Sequence, residues 1–339
     1  MQAIMEHLWQ DLDHPAKEAA REHGMHMRVS AFSIDLIKQT KIIRFAIHHA
    51  EYIGDLITDF DNYFESVEPL RGAGFELADF STPRFHNYAG FDKMPIHTPS
   101  FAEPVATSSD YINFASLKRG QIALDLGGYC GLTSLLMQES VGKEGTVICV
   151  EPDEYNVVSI RKNFSLYNKI TGMSPFLENK AVWNHGSGIE FSAEGNMGSS
   201  ASEILRRGKQ TIVQTITLSG IVDKYNLEKV DFIKCDVEGA EKHIFQDEGF
   251  FEKSCPKIVI EPHNYNGQMT TSACVKALEQ FGYQSEVIIQ NGVKELPLIY
   301  CTPKDFFNHD RARISWAQPL NANISQTTKD GIDEGTLIA

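Results

Sequence analysis

The chain reads as an α/β protein with a mainly parallel sheet and helices on both faces. Three observations predict this. Apolar, β-branched runs alternate with amphipathic helical patterns from Ala123 to Cys301, the order expected of strand–helix–strand units. The run Ala123-Leu124-Asp125-Leu126 ends in an acid and breaks into Gly127, Gly128 and Gly131, a buried strand entering a tight turn and a helix. The later strands also end in acids: Glu151, Asp236, and Glu261 followed by His263.

The elements follow in order. Residues 1–28 carry His7, His14, His23 and His26 at irregular spacing without a cysteine, so a solvated terminal segment is expected rather than a metal site. Between Val29 and Phe64 the pattern turns helical. Ala46, Ala50, Ile53, Ile57, Phe60 and Phe64 recur in steps of three and four, which places one apolar stripe on a helix. The stripe is expected to pack on the rest of the chain or to make a homo-oligomer. Residues 65–105 read as an irregular loop broken by Pro and Gly. Their rings, Phe75, Phe80, Phe85, Tyr88, Phe91 and Phe101, either line a substrate wall or anchor the loop.

From Thr107 to Leu117 a helix capped by Thr107 or Ser108 delivers the chain to the first strand. Helices are expected at Leu132 to Gln138, Asp153 to Asn168, Leu218 to Tyr225, Gly239 to Gln246 and Ser272 to Phe281. Strands are expected at Val147 to Val150, Pro175 to Trp183, Thr211 to Thr217, Val230 to Cys235 and Lys257 to Glu261, with a hairpin turning at Asn291-Gly292. Gly186 to Ser202 is rich in Gly and Ser and reads as a hairpin and flexible lid. This gives three regions: 1–105 helical and loop, 106–303 catalytic, and 304–339 a polar tail.

The glycine turn suits close approach of backbone to a nucleotide-like ligand. The helix after it aims free N–H groups at that ligand. Glu151, about 20 residues beyond the glycines, is placed to accept ribose hydroxyls. To this point NAD and S-adenosylmethionine are equally well accommodated.

The run Asp231-Phe232-Ile233-Lys234-Cys235-Asp236-Val237-Glu238-Gly239-Ala240-Glu241, followed by Ile258-Val259-Ile260-Glu261-Pro262-His263, separates them. With the glycine loop and Glu151, these segments resemble the FkbM-type methyltransferase family over roughly residues 100–302. The resemblance implies a class I, Rossmann-like, seven-stranded methyltransferase fold that uses S-adenosylmethionine. It implies cofactor contacts at Asp125, Gly127, Gly128, Tyr129, Gly131, Glu151, Pro152 and Asp236, with Ala181 and Val182 near the adenine. It also implies O-methylation of a hydroxyl on a sugar, glycan or natural-product scaffold. The chain departs from the family at Gly128-Tyr129-Cys130, where Ala-Asn-Ile is usual, and at Thr217-Leu218-Ser219, where Thr-Leu-Asp is usual.

Methyl transfer to oxygen needs alignment and a group to take the hydroxyl proton. The expected catalytic residues are His263, Asp236, Glu238 and Glu261, with His263 as base because imidazole titrates near neutrality and Asp236 or Glu238 orienting it or the acceptor hydroxyl. Glu241 is assigned to the helix start, where a carboxylate suits the dipole. A divalent ion held by Asp236, Glu261 and His263 or Asn264 is ranked second, since magnesium prefers oxygen ligands.

The formal net charge of −14 argues against a broad nucleic-acid grip. No apolar run is long enough to span a membrane, and the acidic N-terminus does not read as a secretory signal. The six cysteines show no C-x-x-C pair, so buried thiols in a reducing, cytoplasmic setting are expected. Two rival readings remain. An NAD-dependent oxidoreductase leaves Asp236-Val237-Glu238-Gly239 without a role, and a non-catalytic cofactor-binding scaffold would show no turnover.

Overall fold

The computed structural model describes residues 15–289 and 297–304. Its centre is a seven-stranded sheet. In chain order the strands are β1 (Ile122–Leu126), β2 (Thr146–Val150), β3 (Phe176–Glu178), β4 (Phe232–Cys235), β5 (Lys257–Ile260), β6 (Tyr283–Ile289) and β7 (Pro297–Pro303). They lie side by side as β3-β2-β1-β4-β5-β7-β6. The first five are mutually parallel, while β7 runs antiparallel to both β5 and β6. This order, reversing direction between β1 and β4 and closing on an antiparallel hairpin, is the class I methyltransferase fold that the family resemblance implied, with the mainly parallel sheet that the alternating pattern predicted.

Period-two alternation sorts the strand residues onto two faces. Ala123, Val147, Phe232 and Val259 pack with Tyr111 and Met137 on one side. Leu124, Ile148, Ile233 and Ile258 pack with Ile221, Phe250 and Leu278 on the other. Burial on both faces explains why the strands are nearly uniform apolar runs. It also forces helices onto each side: α1 (Val105–Ala115) and α2 (Leu132–Val141) on the first, and α3 (Leu218–Lys224) and α4 (Thr271–Glu279) on the second. The sequence placed α1 within two residues, but its N-cap is Pro104, without a side-chain cap; Ser108 is instead buried against Thr133, at 2.7 Å.

Parallel register carries the functional residues to one edge. Leu126 pairs with Val150 and Cys235, and Cys235 with Ile260. The next residues on these strands, Gly127, Glu151, Asp236 and Glu261, therefore emerge at one level. Backbone bonds continue the ladder through them: Gly127 N–H to the Val150 carbonyl at 2.9 Å, Asp236 to Leu126 at 3.0 Å, and Glu261 to Cys235 at 2.9 Å.

The segment before residue 105 differs from its sequence reading. Instead of helix and irregular loop it contains a five-stranded sheet, in the order His26–Val29, Ser33–Lys38, Lys41–Ala46, Phe75–Phe80 and Leu70–Gly72, and a hairpin of Arg84–Tyr88 with Phe91–Thr98. The reason is a shorter period than the one the stripe suggested. Ile34 and Leu36, then Ile43 and Phe45, alternate inward, and the β-branched residues favour strands. The helical pattern holds only from Ile47, and it breaks into a 3₁₀ turn (Ile47–Tyr52) and helices Ile53–Thr58 and Phe60–Ser66.

The stripe is covered from within the same chain. Ile53, Ile57 and Phe60 share one apolar cluster with Ile34, Phe45 and Phe101, and this cluster extends to Tyr129, Leu132 and Ile160 of the catalytic core. Of the six rings expected either to line a wall or to anchor the loop, Phe80, Tyr88, Phe91 and Phe101 are core residues that anchor the segment, and Phe75 and Phe85 are exposed.

The Gly/Ser-rich segment is also more structured than expected. Ile189–Ala193, Ser200–Ala201 and Lys209–Val213 form a three-stranded sheet. Asp153 fastens its turn, accepting from Glu194 N at 3.0 Å, Gly195 N at 2.9 Å and Ser199 Oγ at 2.6 Å. All six cysteines are free and five are buried. Among the described residues no helix is long and apolar enough to cross a membrane. His7 and His14, the expected turn at Asn291-Gly292, and the tail beyond residue 304 lie outside the described residues.

Gly127 is required by the protein's own backbone. Its φ is +81°, and a Cβ there would lie 1.7 Å from the Asp236 carbonyl oxygen. Gly128 is similarly confined, since a Cβ on it would lie 2.2 Å from Cys149 Sγ. Gly127→Ala is therefore expected to lower the unfolding free energy by about 3 kcal/mol or more. Urea denaturation checks this without any ligand.

Candidate active site

A cavity of about 660 Å³ opens at the carboxyl edge of the sheet, where ligands bind in open α/β folds. Gly127, Tyr129, Glu151, Pro152, Ala181, Val182, Asp236, Glu238, Glu261 and His263 all line it. Of the expected site residues, Asp125, Gly128 and Gly131 do not; they are buried beneath the loop.

Asp125 is fully buried at the end of β1. Ser134 Oγ donates to its Oδ2 at 2.5 Å, and Lys234 Nζ lies 3.4 Å from Oδ1. Lys234 also donates to the Gly127 carbonyl at 2.6 Å and lies 3.3 Å from Asp236. One buried ammonium thus joins β1, the glycine turn and the end of β4. Burial alone would lower the pKa of Lys234; Asp236 and Asp125 outweigh it and hold it well above the ordinary lysine value. The sequence reading gave Lys234 no role, although a lone lysine inside an apolar strand was the available signal.

Glu151 is almost wholly buried. It accepts from Tyr129 N and from Asp153 N, both at 2.9 Å. Asn156 Nδ2 also lies 3.4 Å from Oε1, so Oε2 is the oxygen that keeps a further lone pair for a ribose hydroxyl. Burial and the neighbouring Asp153 charge push its pKa up to about 8. Beside it Asn156 donates through Nδ2 to Asn196 O at 3.1 Å, while its buried Oδ1 has no partner among the described residues, and Asn156 lines the same cavity. An orphaned acceptor of this kind fits a ligand hydroxyl or amine.

Tyr129 occupies the family's usual Asn position at φ +47°, a left-handed conformation that Asn tolerates better than Tyr. Its hydroxyl donates to the Phe101 carbonyl at 2.6 Å and lies 3.2 Å from Ser100 Oγ. It ties the glycine loop to the segment that enters α1.

His263 follows β5. Its Nδ1 is 2.9 Å from Glu241 Oε1, and Glu241 also accepts from Gly239 N and Thr270 Oγ1, each at 2.9 Å. The residue that orients His263 is thus the fully buried Glu241, not Asp236 or Glu238. The His263 Nε2 faces Glu238 at 3.6 Å and Asp236 at 3.7 Å. Burial would lower its pKa, but Glu238, Glu241 and Asp236 raise it well above the ordinary value. Burial in turn pushes Glu238 up to about 7. The two side chains are one coupled pair.

Glu261 is held by the Tyr111 hydroxyl, and Asn264 turns away to accept from Gly267 N at 2.8 Å. The three potential metal ligands that converge among the described residues are Asp236, Glu238 and His263, with ligand atoms within 4.8 Å of one another. This is a different set from the Asp236, Glu261 and His263 or Asn264 arrangement of the sequence reading.

The remaining wall comes from the N-terminal region: Tyr52, Asp55, Asp59, Asn62, Tyr63 and Phe101. Only Phe101 of the six expected rings reaches the cavity. Arg207 fastens this wall to the Ile189–Val213 sheet, donating to Glu194 at 2.9 Å and to Tyr52 Oη at 3.0 Å. Met197, Gly198 and Ser199 then form the cavity's side, so the segment expected to act as a lid is part of a pinned wall.

The strand order, with the cavity at its carboxyl edge, is that of the class I methyltransferase fold. Residues 125–285 match the Methyltransferase FkbM domain, so the chain carries a methyltransferase domain of that family. No curated protein sequence matches the chain. Among solved structures it is similar to precorrin-6y C5,15-methyltransferase from Geobacter metallireducens, at 14% identity over 59% of this chain and 88% of that one, with a TM-score of 0.38. Methyltransferase FkbM from Methylobacillus flagellatus gives 13% identity over 57% and 50% of the two chains, TM-score 0.38. Aeropyrum pernix fibrillarin, solved with natively bound S-adenosyl-L-methionine, gives 16% over 55% and 67%, TM-score 0.34.

Two outcomes are expected. Lys234→Met leaves the fully buried Asp125 and the partly exposed Asp236 without their cation, and should cost about 3–5 kcal/mol of stability in urea unfolding. The second concerns pH. Glu151 with a pKa of about 8 and Glu238 of about 7 hold protons that the unfolded chain releases near 4.5. The raised His263 acts in the same direction. The unfolded chain binds fewer protons in this window, so stability of the unliganded protein should fall as pH rises from about 5 to 8. Denaturation at about pH 6 and about pH 8.5 checks the sign.

Proposed function

We propose that the protein transfers a methyl group from S-adenosylmethionine to a hydroxyl of a sugar, glycan or natural-product scaffold. The observation that carries this reading is the His263–Glu238 pair facing the cavity at the strand edge, with Glu241 behind it. S-adenosylmethionine supplies the methyl group, and its sulfonium becomes a neutral thioether as the acceptor oxygen bonds to that carbon. Glu151 and Asn156 suit the ribose, Gly127 and Tyr129 shape the loop beside it, and Ala181 and Val182 offer an apolar surface for the adenine.

Alignment is the main task of the protein in such a displacement. The wall of Tyr52, Asp55, Asp59 and Asn62 offers hydroxyl, amide and carboxylate groups to a polyhydroxylated acceptor, while Phe101 and Tyr63 give it apolar contact. The proton released by the acceptor hydroxyl passes to the His263–Glu238 pair. Because the pair titrates as a unit, its capacity to accept grows as the pH rises through neutrality. Asp236 stabilises the charged imidazole, and Glu241 fixes its ring plane.

An acceptor screen with purified protein and S-adenosylmethionine tests the reading; no turnover with any hydroxyl compound would overturn it. With an acceptor in hand, Glu238→Gln or His263→Ala is expected to lower kcat by about 100-fold or more. Glu241→Gln is expected to lower kcat by about 10-fold or more, to leave the acceptor KM nearly unchanged, and to move the rising limb of the pH–rate profile to lower pH. A merely structural Glu241 would not move that limb. A second reading rests on the convergence of Asp236, Glu238 and His263: activity lost on chelation and restored by magnesium or manganese would replace proton acceptance with cation binding at these atoms.

A further inference from the structure

We propose that Glu103 is the anchor for the amino-acid end of the cofactor, its carboxylate receiving the α-ammonium of S-adenosylmethionine. This rests on the methyltransferase reading and goes beyond it, since Glu103 is none of the motif residues read from the sequence and the family match begins at residue 125.

Partnering separates it from the strand-edge acids; Asp55, which also lines the cavity with no hydrogen bond or ion pair to its carboxylate among the described residues, is exposed to solvent. At the strand edge Asp125 has Ser134 and Lys234, Glu151 has two backbone N–H groups, and Glu261 has Tyr111. Glu103 lines the same cavity, yet among the described residues no hydrogen bond or ion pair reaches its carboxylate. Lys234 is committed elsewhere, to the Gly127 carbonyl and to the space between Asp125 and Asp236. Burial accordingly pushes the Glu103 pKa up to about 8, the behaviour of an acid short of donors. A desolvated acid at a cavity wall is complementary to a cation.

Position then selects which cation. Tyr129, in the glycine loop, donates to the carbonyl of Phe101, two residues before Glu103. The loop that meets the cofactor and the segment that carries Glu103 are therefore one unit. The charges that act on Glu103 most are those of Lys234, Asp236, Asp125 and Glu261, at the ends of β1, β4 and β5. The ribose partners Glu151 and Asn156 stand after β2. A cofactor with its ribose there directs its other end toward β1 and β4, where its ammonium meets Glu103.

Calorimetric titration of the full chain and of Glu103→Gln with S-adenosylhomocysteine and with 5′-methylthioadenosine tests this. The second ligand keeps the adenosine and thioether but lacks the amino-acid group. The variant should lose about 10- to 100-fold in affinity for S-adenosylhomocysteine, the range of one charge-assisted hydrogen bond, and bind 5′-methylthioadenosine as the wild type does. Binding of the truncated ligand also reports that the variant is folded. Equal losses for both ligands would overturn the proposal by making Glu103 structural. Unchanged S-adenosylhomocysteine affinity with a raised acceptor KM would overturn it in favour of a cationic acceptor group. Failure of the wild type to bind S-adenosylhomocysteine would overturn the methyltransferase reading and this inference together, a result distinct from either of the others.

Discussion

The buried ammonium of Lys234 is the interaction on which the rest of the site depends. A lysine in the middle of a strand would be costly alone, because burial disfavours its charge. Here Asp125 and Asp236 lie 3.4 and 3.3 Å away, and the Gly127 carbonyl accepts its proton at 2.6 Å. The acids in turn are tolerable in the interior because of the lysine. Breaking one member leaves the others uncompensated. The arrangement holds the ends of β1 and β4 and the glycine turn in a single geometry.

That geometry passes outward through short contacts. The turn is pressed against the Asp236 backbone so closely that only glycine fits at position 127. Tyr129, the next residue but one, carries the position of the turn to Phe101, and Phe101 belongs to the apolar cluster of the N-terminal sheet. The N-terminal cavity wall and the glycine loop are thereby parts of one packed structure. Arg207, Glu194 and Tyr52 make a second tie, with Tyr52 packed against Phe101 at 5.9 Å between ring centroids. A site held by both ties keeps its acids at fixed separations, which lets burial raise the pKa of Glu238 and Glu151 instead of being relieved by movement toward water.

The electrostatics are those of a site with more buried carboxylate than cation. Glu151 and Glu238 have raised pKa values, burial being the main cause, and His263 is held charged by three surrounding carboxylates. Positive charge brought in by a ligand would relieve this, so ligand binding and the protonation of the site are linked.

The sequence alone determined the catalytic fold, because strands buried on both faces must be continuous apolar runs and their connections must be helices. It also determined which acids meet at the cavity: in a parallel sheet residues that end strands necessarily share an edge, so Glu151, Asp236 and Glu261 could be gathered from spacing alone, while Asp125, level with Cys149, is buried within β1. Tertiary structure decided the partners. Glu241 looked like a helix-start acid, and only the approach of β5 to the Gly239 turn makes it the anion of His263. Lys234 looked like one polar residue in a strand, and only β1 beside β4 gives it two carboxylates. The N-terminal sheet escaped because its strands are short and open into a helical stripe, so two periodicities overlap from Val29 to Phe64 and local pattern cannot rank them. Glu103 was hidden for a related reason: an acid in a Pro-flanked loop has no signature until folding buries it beside the site.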